Sequence, residues 1–268
     1  MSSFATLLTR TQTARIRHLF GDKRVRQAEG VFVVEGAKPV YDLLLNHPTH
    51  VQMLVATPGH EHRESHQQRL VRESLDIPSF RCLDRTFTAL SDVESPQGIL
   101  AVVRQPRWNE DEVFEQPSLF GLYGEQLQDP ANVGAIIRTA AALNLDALWL
   151  TPESADIYNP KVVRATSGAL LSLPIFIIRD VVKFVRKECV IFTAEAGGRG
   201  TVEMQTIREV PSRLILALGN ESRGLSAHTI KQGGCRFTIQ LSRQVESLNV
   251  AATAAIALHY FGRLPKKS

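Results

Sequence analysis

The chain has 268 residues, a formal net charge of +4 at pH 7, 44% hydrophobic residues and 22% charged residues. These values are typical of a globular protein with a buried core, and they exclude a collagenous chain, a coiled coil and a largely disordered protein. No apolar run approaches the roughly 20 residues of a membrane-spanning helix, and we expect no secretory signal. Three widely separated cysteines without a CxxC pair indicate reduced thiols, so we expect a cytoplasmic protein.

Elements predicted in the first hundred residues alternate between strands and helices. Apolar runs bounded by turn residues predict strands at 30–36, 51–56, 79–83 and 99–103. Helix and loop are predicted over 15–30, apolar residues at helical spacing predict a helix over 40–45, and a polar helix is predicted around 60–75. This alternation indicates a small α/β domain over residues 1–104.

A run of basic residues lies in this first part of the chain and is accompanied by a single acid, Asp22. Two interpretations stay open, a solvated helix face and a patch that binds the phosphates of a nucleic acid. The mildly basic net charge of +4 allows nucleic-acid binding without requiring it. The members of the run are Arg10, Arg15, Arg17, Lys23, Arg24 and Arg26.

Two prolines and a cluster of acids predict a linker over residues 105–117. Beyond it, residues 118–268 contain predicted strands at 119–123, 147–150, 173–177, 190–194, 214–218 and 237–239. Helical patterns lie between most of these strands, so we expect a parallel sheet covered by helices on both faces. An alanine-rich helix over 247–261 predicts close packing, either within the fold or against another subunit.

Three segments that follow predicted strands carry candidate functional residues, because ligands of parallel α/β sheets bind beyond the carboxyl ends of the strands. In the first segment, Asn132 is suited to start a helix, and Arg138 lies within that helix. In the second, Gly219 and Gly224 indicate a turn at which the backbone approaches a ligand. The third, 247–249, offers hydroxyl and amide groups at a helix N-terminus.

Several familiar signatures are missing from the sequence. The run from His60 to His66 resembles a metal site, but Glu64 stands where an HExxH motif needs histidine, so we expect a solvated helix start and no metal. Residues 197–200 do not form a dinucleotide fingerprint. A P-loop and a G-x-S-x-G elbow are also missing, which disfavours a small-molecule enzyme that hydrolyses nucleotides or esters.

The three segments together resemble the motifs of the SpoU (TrmH) family of RNA 2′-O-ribose methyltransferases. They occur in the family's order, as Asn132-x-Gly134-x3-Arg138, Gly219-Asn220-Glu221-x2-Gly224-Leu225 and Ser247-Leu248-Asn249-Val250. Residues 96–99 and 163–169 resemble further family segments, and residues 17–45 resemble the family's ribosomal-protein-like substrate-binding domain. The resemblance therefore covers nearly the whole chain.

The resemblance implies both a fold and a reaction. The fold is an α/β domain whose parallel sheet is threaded into a trefoil knot, preceded by a small α/β substrate-binding domain. The reaction is methyl transfer from S-adenosylmethionine to a ribose 2′-hydroxyl of RNA, by a homodimer with active sites near its interface. The accessory domain favours ribosomal RNA, while transfer RNA and an inert RNA-binding assembly factor stay as alternatives.

The resemblance also assigns roles by position. Catalytic roles fall on Asn132, Arg138, Glu221, Ser247 and Asn249. Cofactor contacts, largely through backbone, fall on Ala194, Glu195, Gly219, Asn220, Ile239, Gln240, Leu241 and Leu248. RNA contacts are predicted for Arg15, Arg17, Lys23, Arg24, Arg26 and Arg164. Two positions depart from the family, Gln240 from a frequent proline and Ser222 from a frequent glycine, and both affect the shape of their loops.

Two roles stay open for Arg138. The family's matching arginine is usually described as the base that takes the hydroxyl proton. A guanidinium keeps its proton in proteins, however. The alternative is that Arg138 holds the phosphate beside the target ribose and stabilises the negative charge that develops there.

Overall fold

The computed structural model describes residues 6–91, 93–198, 200–242 and 247–267. The chain forms two compact units. The first unit holds Met1–Arg107 together with Asp156–Leu171, and the second holds Trp108–Ala155 together with Ser172–Ser268. The segment Asp156–Leu171 therefore belongs with the first unit. The methyltransferase domain predicted from the sequence, residues 118–268, includes this segment, and these domain boundaries remain a prediction.

Helices and strands alternate along the chain. Up to residue 107 they are β1 (Thr6–Leu7), α1 (Arg10–Gly21), α2 (Lys23–Glu29), β2 (Val31–Glu35), α3 (Ala37–Asn46), the 3-10 helix Pro48–His50, β3 (Val51–Ala56), α4 (Pro58–Arg63), α5 (His66–Glu73), β4 (Ser79–Arg81), α6 (Asp84–Leu90) and β5 (Ile99–Arg104). Residues 108–171 form α7 (Glu110–Phe114), β6 (Leu119–Gly124), α8 (Pro130–Ala142), β7 (Ala147–Leu150), α9 (Pro160–Thr166) and the 3-10 helix Ala169–Leu171. The remainder forms β8 (Ile175–Ile177), α10 (Val182–Arg186), β9 (Val190–Ala194), β10 (Val202–Glu203), the 3-10 helix Met204–Thr206, β11 (Arg213–Leu218), α11 (Ala227–Gln232), β12 (Cys235–Thr238) and α12 (Val250–Phe261). None of the helices in the described ranges is both long enough and apolar enough to cross a membrane.

The first unit is built on a mixed sheet with the strand order β1-β4-β3-β5-β2. Strand β5 pairs antiparallel with β2 and β3, whereas β4 pairs parallel with β3 and β1. The four strands predicted in this part of the chain all form. Their buried residues pack with α1 and α6 in a core that includes Ile16, Leu19, Phe87 and Leu100.

Two of the predicted helices are each divided by a capping residue. Asp22 adopts an extended conformation and its side chain accepts a hydrogen bond from Arg24 N, so α1 ends and α2 begins there. Ser65 forms a capping box with Gln68, which starts α5 separately from α4. Such side chains bind the free N–H groups at the start of a helix and so favour a break at that point. The spacing of apolar residues alone does not reveal these breaks.

The inserted segment Asp156–Leu171 is attached to the rest of the first unit by a buried ion pair. Arg26 is 3% exposed, and its guanidinium binds Asp156 Oδ2 at 2.6 Å and two backbone carbonyl oxygens of α1. Phe32 packs against Tyr158 with ring centroids 5.0 Å apart, and α9 contacts β2. The prediction that Arg26 contacts RNA is therefore corrected, because its guanidinium is bound inside the unit.

The second unit is built on a parallel sheet, whose strand order within the described residues is β10-β12-β9-β11-β6-β7-β8. This arrangement confirms the expected parallel sheet, and all six predicted strands form. Trp149, Phe184 and Ile215 lie in the core of this unit. Helices α8 and α12 pack against each other, and α12 also contacts β11. The helix that carries Arg138 therefore lies beside the last helix of the chain.

The predicted linker contains an ordered helix, α7. Phe114 of this helix stacks on Trp149 with ring centroids 5.4 Å apart. Glu110 accepts a hydrogen bond from Trp149 Nε1 at 2.8 Å and a second one from Lys183. Part of the acidic cluster that suggested a linker is therefore packed on the second unit.

We expect Arg26→Met to lower the free energy of unfolding by about 3–5 kcal/mol, because the largely buried carboxylate of Asp156 would lose its partner. The change is measured by chemical denaturation. Arg15→Met is the matched control, because Arg15 pairs with Glu29 at 2.6 Å but both side chains are about one-third exposed. The control should lose at most about 1 kcal/mol. Equal losses in the two variants would contradict the structural role of Arg26.

Candidate active site

A cleft of about 660 Å³ opens at the carboxyl ends of β9, β11 and β12. Ligands of parallel α/β sheets bind at this edge, and small-molecule sites commonly measure about 300–1,000 Å³. The cleft brings together ten of the predicted site residues: Ala194, Glu195, Gly219, Asn220, Glu221, Ile239, Leu241, Ser247, Leu248 and Asn249. Gln240, predicted to contact the cofactor, does not line it, and residues 243–246 of the same loop lie outside the described residues.

The turn from Gly219 to Gly224 forms one wall of the cleft and leaves no space for a side chain at its first residue. A Cβ atom on Gly219 would lie 2.1 Å from the carbonyl carbon of Gly224 and 2.2 Å from Leu225 N. The turn closes because Asn220 and Gly224 exchange backbone hydrogen bonds of 3.1 and 2.9 Å. Gly224 itself has φ +67°, which favours glycine. The shape of this turn therefore requires glycine at residue 219.

Side-chain hydrogen bonds join three residues from three different loops beside the cleft. Asn249 Nδ2 donates to Asn132 Oδ1 at 2.8 Å, and Asn132 Nδ2 donates to Glu221 Oε1 at 3.1 Å. Asn249 Oδ1 accepts from the backbone N–H groups of Ala251 and Ala252, and so it caps α12. Each amide then has one orientation that satisfies both of its neighbours. We call Asn249, Asn132 and Glu221 the hydrogen-bond chain.

Asn132 lies inside the first turn of α8 and does not cap it, which corrects the expectation that it starts the helix. The cap is Asp129, whose Oδ1 accepts from Ala131 N at 2.9 Å, and Pro130 is the first helical residue. Asn132 is 8% exposed. Because another residue caps the helix, the Asn132 amide is available to bind the other two members of the hydrogen-bond chain.

Glu221 is held in its ionised form. Burial alone would raise the pKa of this carboxyl group, but hydrogen bonds from the Asn132 side chain and from backbone groups of Gln128, Asp129 and Glu221 itself lower it below the ordinary value. The ionised group accepts hydrogen bonds and has no proton to donate. Glu221 therefore offers negative charge and acceptor oxygens to a ligand in the cleft.

A second carboxylate on the cleft, Glu195, is bound by an arginine. Arg236 donates from Nε to Oε1 at 2.7 Å and from Nη2 to Oε2 at 2.6 Å, and Thr193 Oγ1 donates to Oε1 at 3.2 Å. The guanidinium lowers the pKa of Glu195 against the opposing effect of burial. The orientation of this carboxylate is therefore set before a ligand arrives.

Arg138 does not line the cleft of its own chain. It lies six residues after Asn132, which is about 9 Å further along the axis of α8. Its side chain is exposed, and it forms no hydrogen bond or ion pair with any residue that the structure describes. The structure thus gathers four of the five residues predicted to be catalytic and leaves the arginine on an exposed surface.

The basic residues predicted to contact RNA differ in their accessibility. Arg15 is paired with Glu29, and Arg164 is partly buried in a small depression that Phe20 also lines. Arg26 is buried, as described above. The members that remain exposed on the first unit are Arg17, Lys23 and Arg24.

The described residues contain no group of three or more His, Cys, Asp or Glu side chains placed to bind a metal ion. His60, from the metal-like run, is 3% exposed. Its Nδ1 atom lies 3.2 Å from the Gln97 carbonyl oxygen, and its Nε2 atom lies 3.3 Å from the Tyr41 hydroxyl. Burial lowers the pKa of His60, which favours the neutral ring. This histidine therefore belongs to the core of the first unit and not to a solvated helix start.

Several residues that line the cleft were not identified from the sequence, and two of them, Arg223 and Thr253, carry polar side chains close to motif residues. Arg223 lies two residues after Glu221 in the tight turn, and Thr253 lies four residues after Asn249. Thr253 Oγ1 donates to the Asn249 carbonyl oxygen at 3.2 Å. Their spacing from motif residues is the signal that could have located them, because residues four apart share a helix face and a tight turn keeps its members together.

Comparison with known proteins identifies the family. A profile of the SpoU rRNA Methylase family matches residues 120–259, more than half of the chain. This chain belongs to that family. A second profile, of the MRM3-like substrate binding domain, matches residues 14–101. The resemblance drawn from the three motifs is confirmed.

Relatives align with most of the chain. The 23S rRNA (guanosine(2553)-2′-O)-methyltransferase RlmP of Bacillus subtilis is 30% identical, over 71% of this chain and 78% of its own length. The 23S rRNA (uridine(2479)-2′-O)-methyltransferase of Streptomyces viridochromogenes is 27% identical, over 90% of this chain and 85% of its own length. The crystal structure of the SpoU methyltransferase AviRb from Streptomyces viridochromogenes, in complex with AdoMet, matches with a TM-score of 0.80 and 24% identity, over 95% of this chain and 98% of AviRb. This likeness confirms the predicted α/β methyltransferase fold, and the trefoil knot remains a prediction.

We expect Asn132→Ala to raise the pKa of Glu221, because the variant loses the hydrogen bond that stabilises the carboxylate while burial still favours the neutral acid. The pKa is read from the carboxyl chemical shift in an NMR titration. In the wild type, the lowered pKa of Glu221 stabilises the folded state at pH values above the ordinary carboxyl pKa. This stabilisation is lost as the pH falls through the lowered pKa.

Ser222→Ala is the control for this titration, because Ser222 is the chain neighbour of Glu221 and its hydroxyl donates no hydrogen bond to that carboxylate in the described structure. The control should leave the pKa of Glu221 unchanged. If Asn132→Ala also leaves it unchanged, the hydrogen-bond chain does not act on Glu221.

Proposed function

We propose that the protein transfers the methyl group of S-adenosylmethionine to a ribose 2′-hydroxyl of ribosomal RNA. The observation that carries this proposal is the hydrogen-bond chain, which brings one residue from each of the three methyltransferase motifs together beside a single cleft. Membership of the SpoU rRNA Methylase family and similarity to two 23S rRNA 2′-O-methyltransferases support the substrate and the reaction.

The cleft suits S-adenosylmethionine in size and in chemistry. Ile239 and Leu248 offer apolar surface for an adenine ring, and the bare turn at Gly219 offers main-chain groups. The oriented carboxylate of Glu195 can accept hydrogen bonds from hydroxyl or ammonium groups. When bound, the cofactor supplies a methyl group on an electrophilic sulfonium. These residues are therefore the ones that would hold it.

The protein's own contribution to the reaction is positioning and charge. Glu221 can accept a hydrogen bond from the target hydroxyl and take up the proton that this hydroxyl loses when it is methylated. Ser247 and Asn249 present a hydroxyl and an amide that can orient the ribose. Arg138 keeps its proton, so we assign it the task of holding a phosphate beside the target ribose and stabilising the negative charge that develops on the oxygen.

The first unit is proposed to bind the RNA. Arg17, Lys23 and Arg24 are exposed there, with Arg164 as a further candidate, and the match to the MRM3-like substrate binding domain covers the first three of these residues. Phosphate contacts from such residues make RNA binding weaken as the salt concentration rises. We favour ribosomal over transfer RNA, and we place the reaction in the cytoplasm.

We further propose that the protein acts as a homodimer. Arg138 is exposed and lies outside the cleft of its own chain. It is carried by α8, which packs against α12, and α12 presents small alanine side chains and the 40% exposed Ile256. In a two-fold dimer, Arg138 of one copy can complete the cleft of the other.

The proposed reaction is tested by mapping ribose methylation in total RNA from strains with and without the gene, beside calorimetric titration of the full chain with S-adenosylmethionine and with NAD. We expect one ribosomal RNA position to lose its methyl group in the deletion strain, and we expect binding of S-adenosylmethionine alone. If the methyl group is lost from a transfer RNA position instead, the substrate is transfer RNA and not ribosomal RNA. Binding of NAD alone, or unchanged methylation, would contradict the methyltransferase assignment.

The shared active site is tested with two variants, Arg138→Ala and Gly219→Val. Each is expected to abolish transfer of labelled methyl groups to protein-free ribosomal RNA from the deletion strain. Co-expression of the two should restore about a quarter of wild-type activity, because half of the dimers are mixed and each mixed dimer has one intact site. Arg138→Lys should also lose most activity, since an ammonium lacks the planar fork of the guanidinium.

Calorimetry provides the control for this experiment, because Arg138→Ala should bind S-adenosylmethionine as the wild type does, whereas Gly219→Val should not. Co-expression without recovery would place Arg138 and its cleft in the same copy and would contradict the shared site.

A further inference from the structure

Arg223 is a cation on the wall of the cleft to which the proposed function gives no task. It is exposed, and its guanidinium forms no hydrogen bond or ion pair with the residues in the described ranges. Among the described residues, the carboxylates that line the cleft are Glu195 and Glu221, and each has a partner of its own, since Glu195 binds Arg236 and Glu221 binds Asn132. The donors of Arg223 are therefore available to a ligand.

The main chain that carries Arg223 is held on both sides. Asn220 Oδ1 accepts from Arg223 N at 3.2 Å, and Asn220 Nδ2 donates to the Gln126 carbonyl oxygen at 2.8 Å. Beyond the turn, Ser226 N and Oγ donate to the two carboxylate oxygens of Glu125 at 2.9 and 2.7 Å. Both ends of the turn are thus tied to the residues that follow β6. A group on a backbone that is already ordered loses less entropy when it binds.

A guanidinium with free donors recognises an oxyanion, and it binds phosphate through two parallel hydrogen bonds. Under the proposed function, two kinds of anion come to this cleft, the carboxylate of the cofactor and the phosphates of the RNA. Only a few covalent bonds separate a ribose 2′-oxygen from its 3′-phosphate, and Arg223 stands two residues from Glu221, the proposed acceptor for the 2′-hydroxyl. Arg223 is also exposed, so an RNA strand can reach it from solvent.

We propose that Arg223 binds the phosphate on the 3′ side of the ribose that is methylated. This inference rests on the proposed function and adds to it a second phosphate contact. A ribose within RNA is flanked by two phosphates, so the assignment leaves the other one to Arg138. Together the two arginines would hold the ribose from both sides over the hydrogen-bond chain.

The test compares Arg223→Gln with the wild type in methyl transfer to protein-free ribosomal RNA from the deletion strain. We expect the KM for RNA to rise about tenfold, because the variant loses one charge-assisted hydrogen-bonding partner of the RNA. The dependence of log(1/KM) on log salt should become shallower by about 0.7–0.9, the share of one phosphate. The Kd for S-adenosylmethionine should stay at its wild-type value.

Arg208→Gln is the matched control, because Arg208 is an exposed arginine of the same unit that does not line the cleft, and its loss changes the net charge equally. It should leave both the KM and the salt dependence close to the wild type. Arg223→Lys should restore the salt dependence and only part of the affinity for RNA, since it keeps the charge without the fork.

Weaker binding of S-adenosylmethionine by Arg223→Gln, with an unaltered KM for RNA, would overturn the proposal and assign Arg223 to the carboxylate of the cofactor. An unchanged KM, or an equal change in Arg208→Gln, would overturn it as well. A wild-type protein that neither binds S-adenosylmethionine nor labels RNA would overturn the proposed function itself, and this is visible before any variant is compared.

Discussion

Gly219 approaches the backbone of Gly224 and Leu225 so closely that a Cβ atom has no space between them. Because of this approach, the chain that leaves β11 turns back within a few residues and places Asn220, Glu221 and Arg223 along one wall of the cleft. The Asn220 amide holds the turn to the end of the neighbouring strand β6. A side chain at residue 219 would force the turn open and would displace all three of these residues from their positions on the wall of the cleft. The chemistry at the end of β11 therefore depends on a position that contributes no functional group of its own.

The second constraint on the site is the direction of the hydrogen-bond chain. Asn249 Oδ1 is already bound by the first N–H groups of α12, so only its Nδ2 atom can face Asn132. Asn132 must then present its oxygen to Asn249 and its nitrogen to Glu221. Aspartate at either amide position would set two acceptors against each other. A cap that stabilises one helix thus also orients a carboxylate in a different loop.

Much of the fold follows from local sequence patterns, and the exceptions have physical reasons. Strands β6 and β11 of the second unit are apolar runs buried on both faces, so their positions are visible in the sequence. The breaks at Asp22 and Ser65 each depend on one capping side chain, which apolar spacing does not reveal. Arg26 was misjudged because its partner, Asp156, lies 130 residues away in sequence.

The site was predictable to a similar extent. Its three loops follow strands that lie near one another in the sheet, and motif resemblance supplied most of the residues. Arg223 was not predicted because it stands at a variable position between the motif residues Glu221 and Gly224. Its ability to bind a ligand depends on which neighbouring charged side chains already have partners, and the sequence does not show this. The exposure of Arg138 outside the cleft depends on the angle at which α8 presents its side chains, which spacing from Asn132 alone does not determine.

Because Asp156–Leu171 belongs to the first unit, that unit cannot be completed early while the chain is synthesised on the ribosome. Synthesis proceeds from the N-terminus, and a domain generally folds once all of it has emerged. Here Phe32, which is 1% exposed in the folded protein, lacks its contact with Tyr158 until Tyr158 has been synthesised. In the same way, the charge of Arg26 has no partner until Asp156 has been synthesised. By the time these partners appear, β6, α8 and β7 have already been synthesised. The first unit is thus completed only after the second has begun, and the nascent protein carries an unfinished surface on β2 through the intervening stretch of translation.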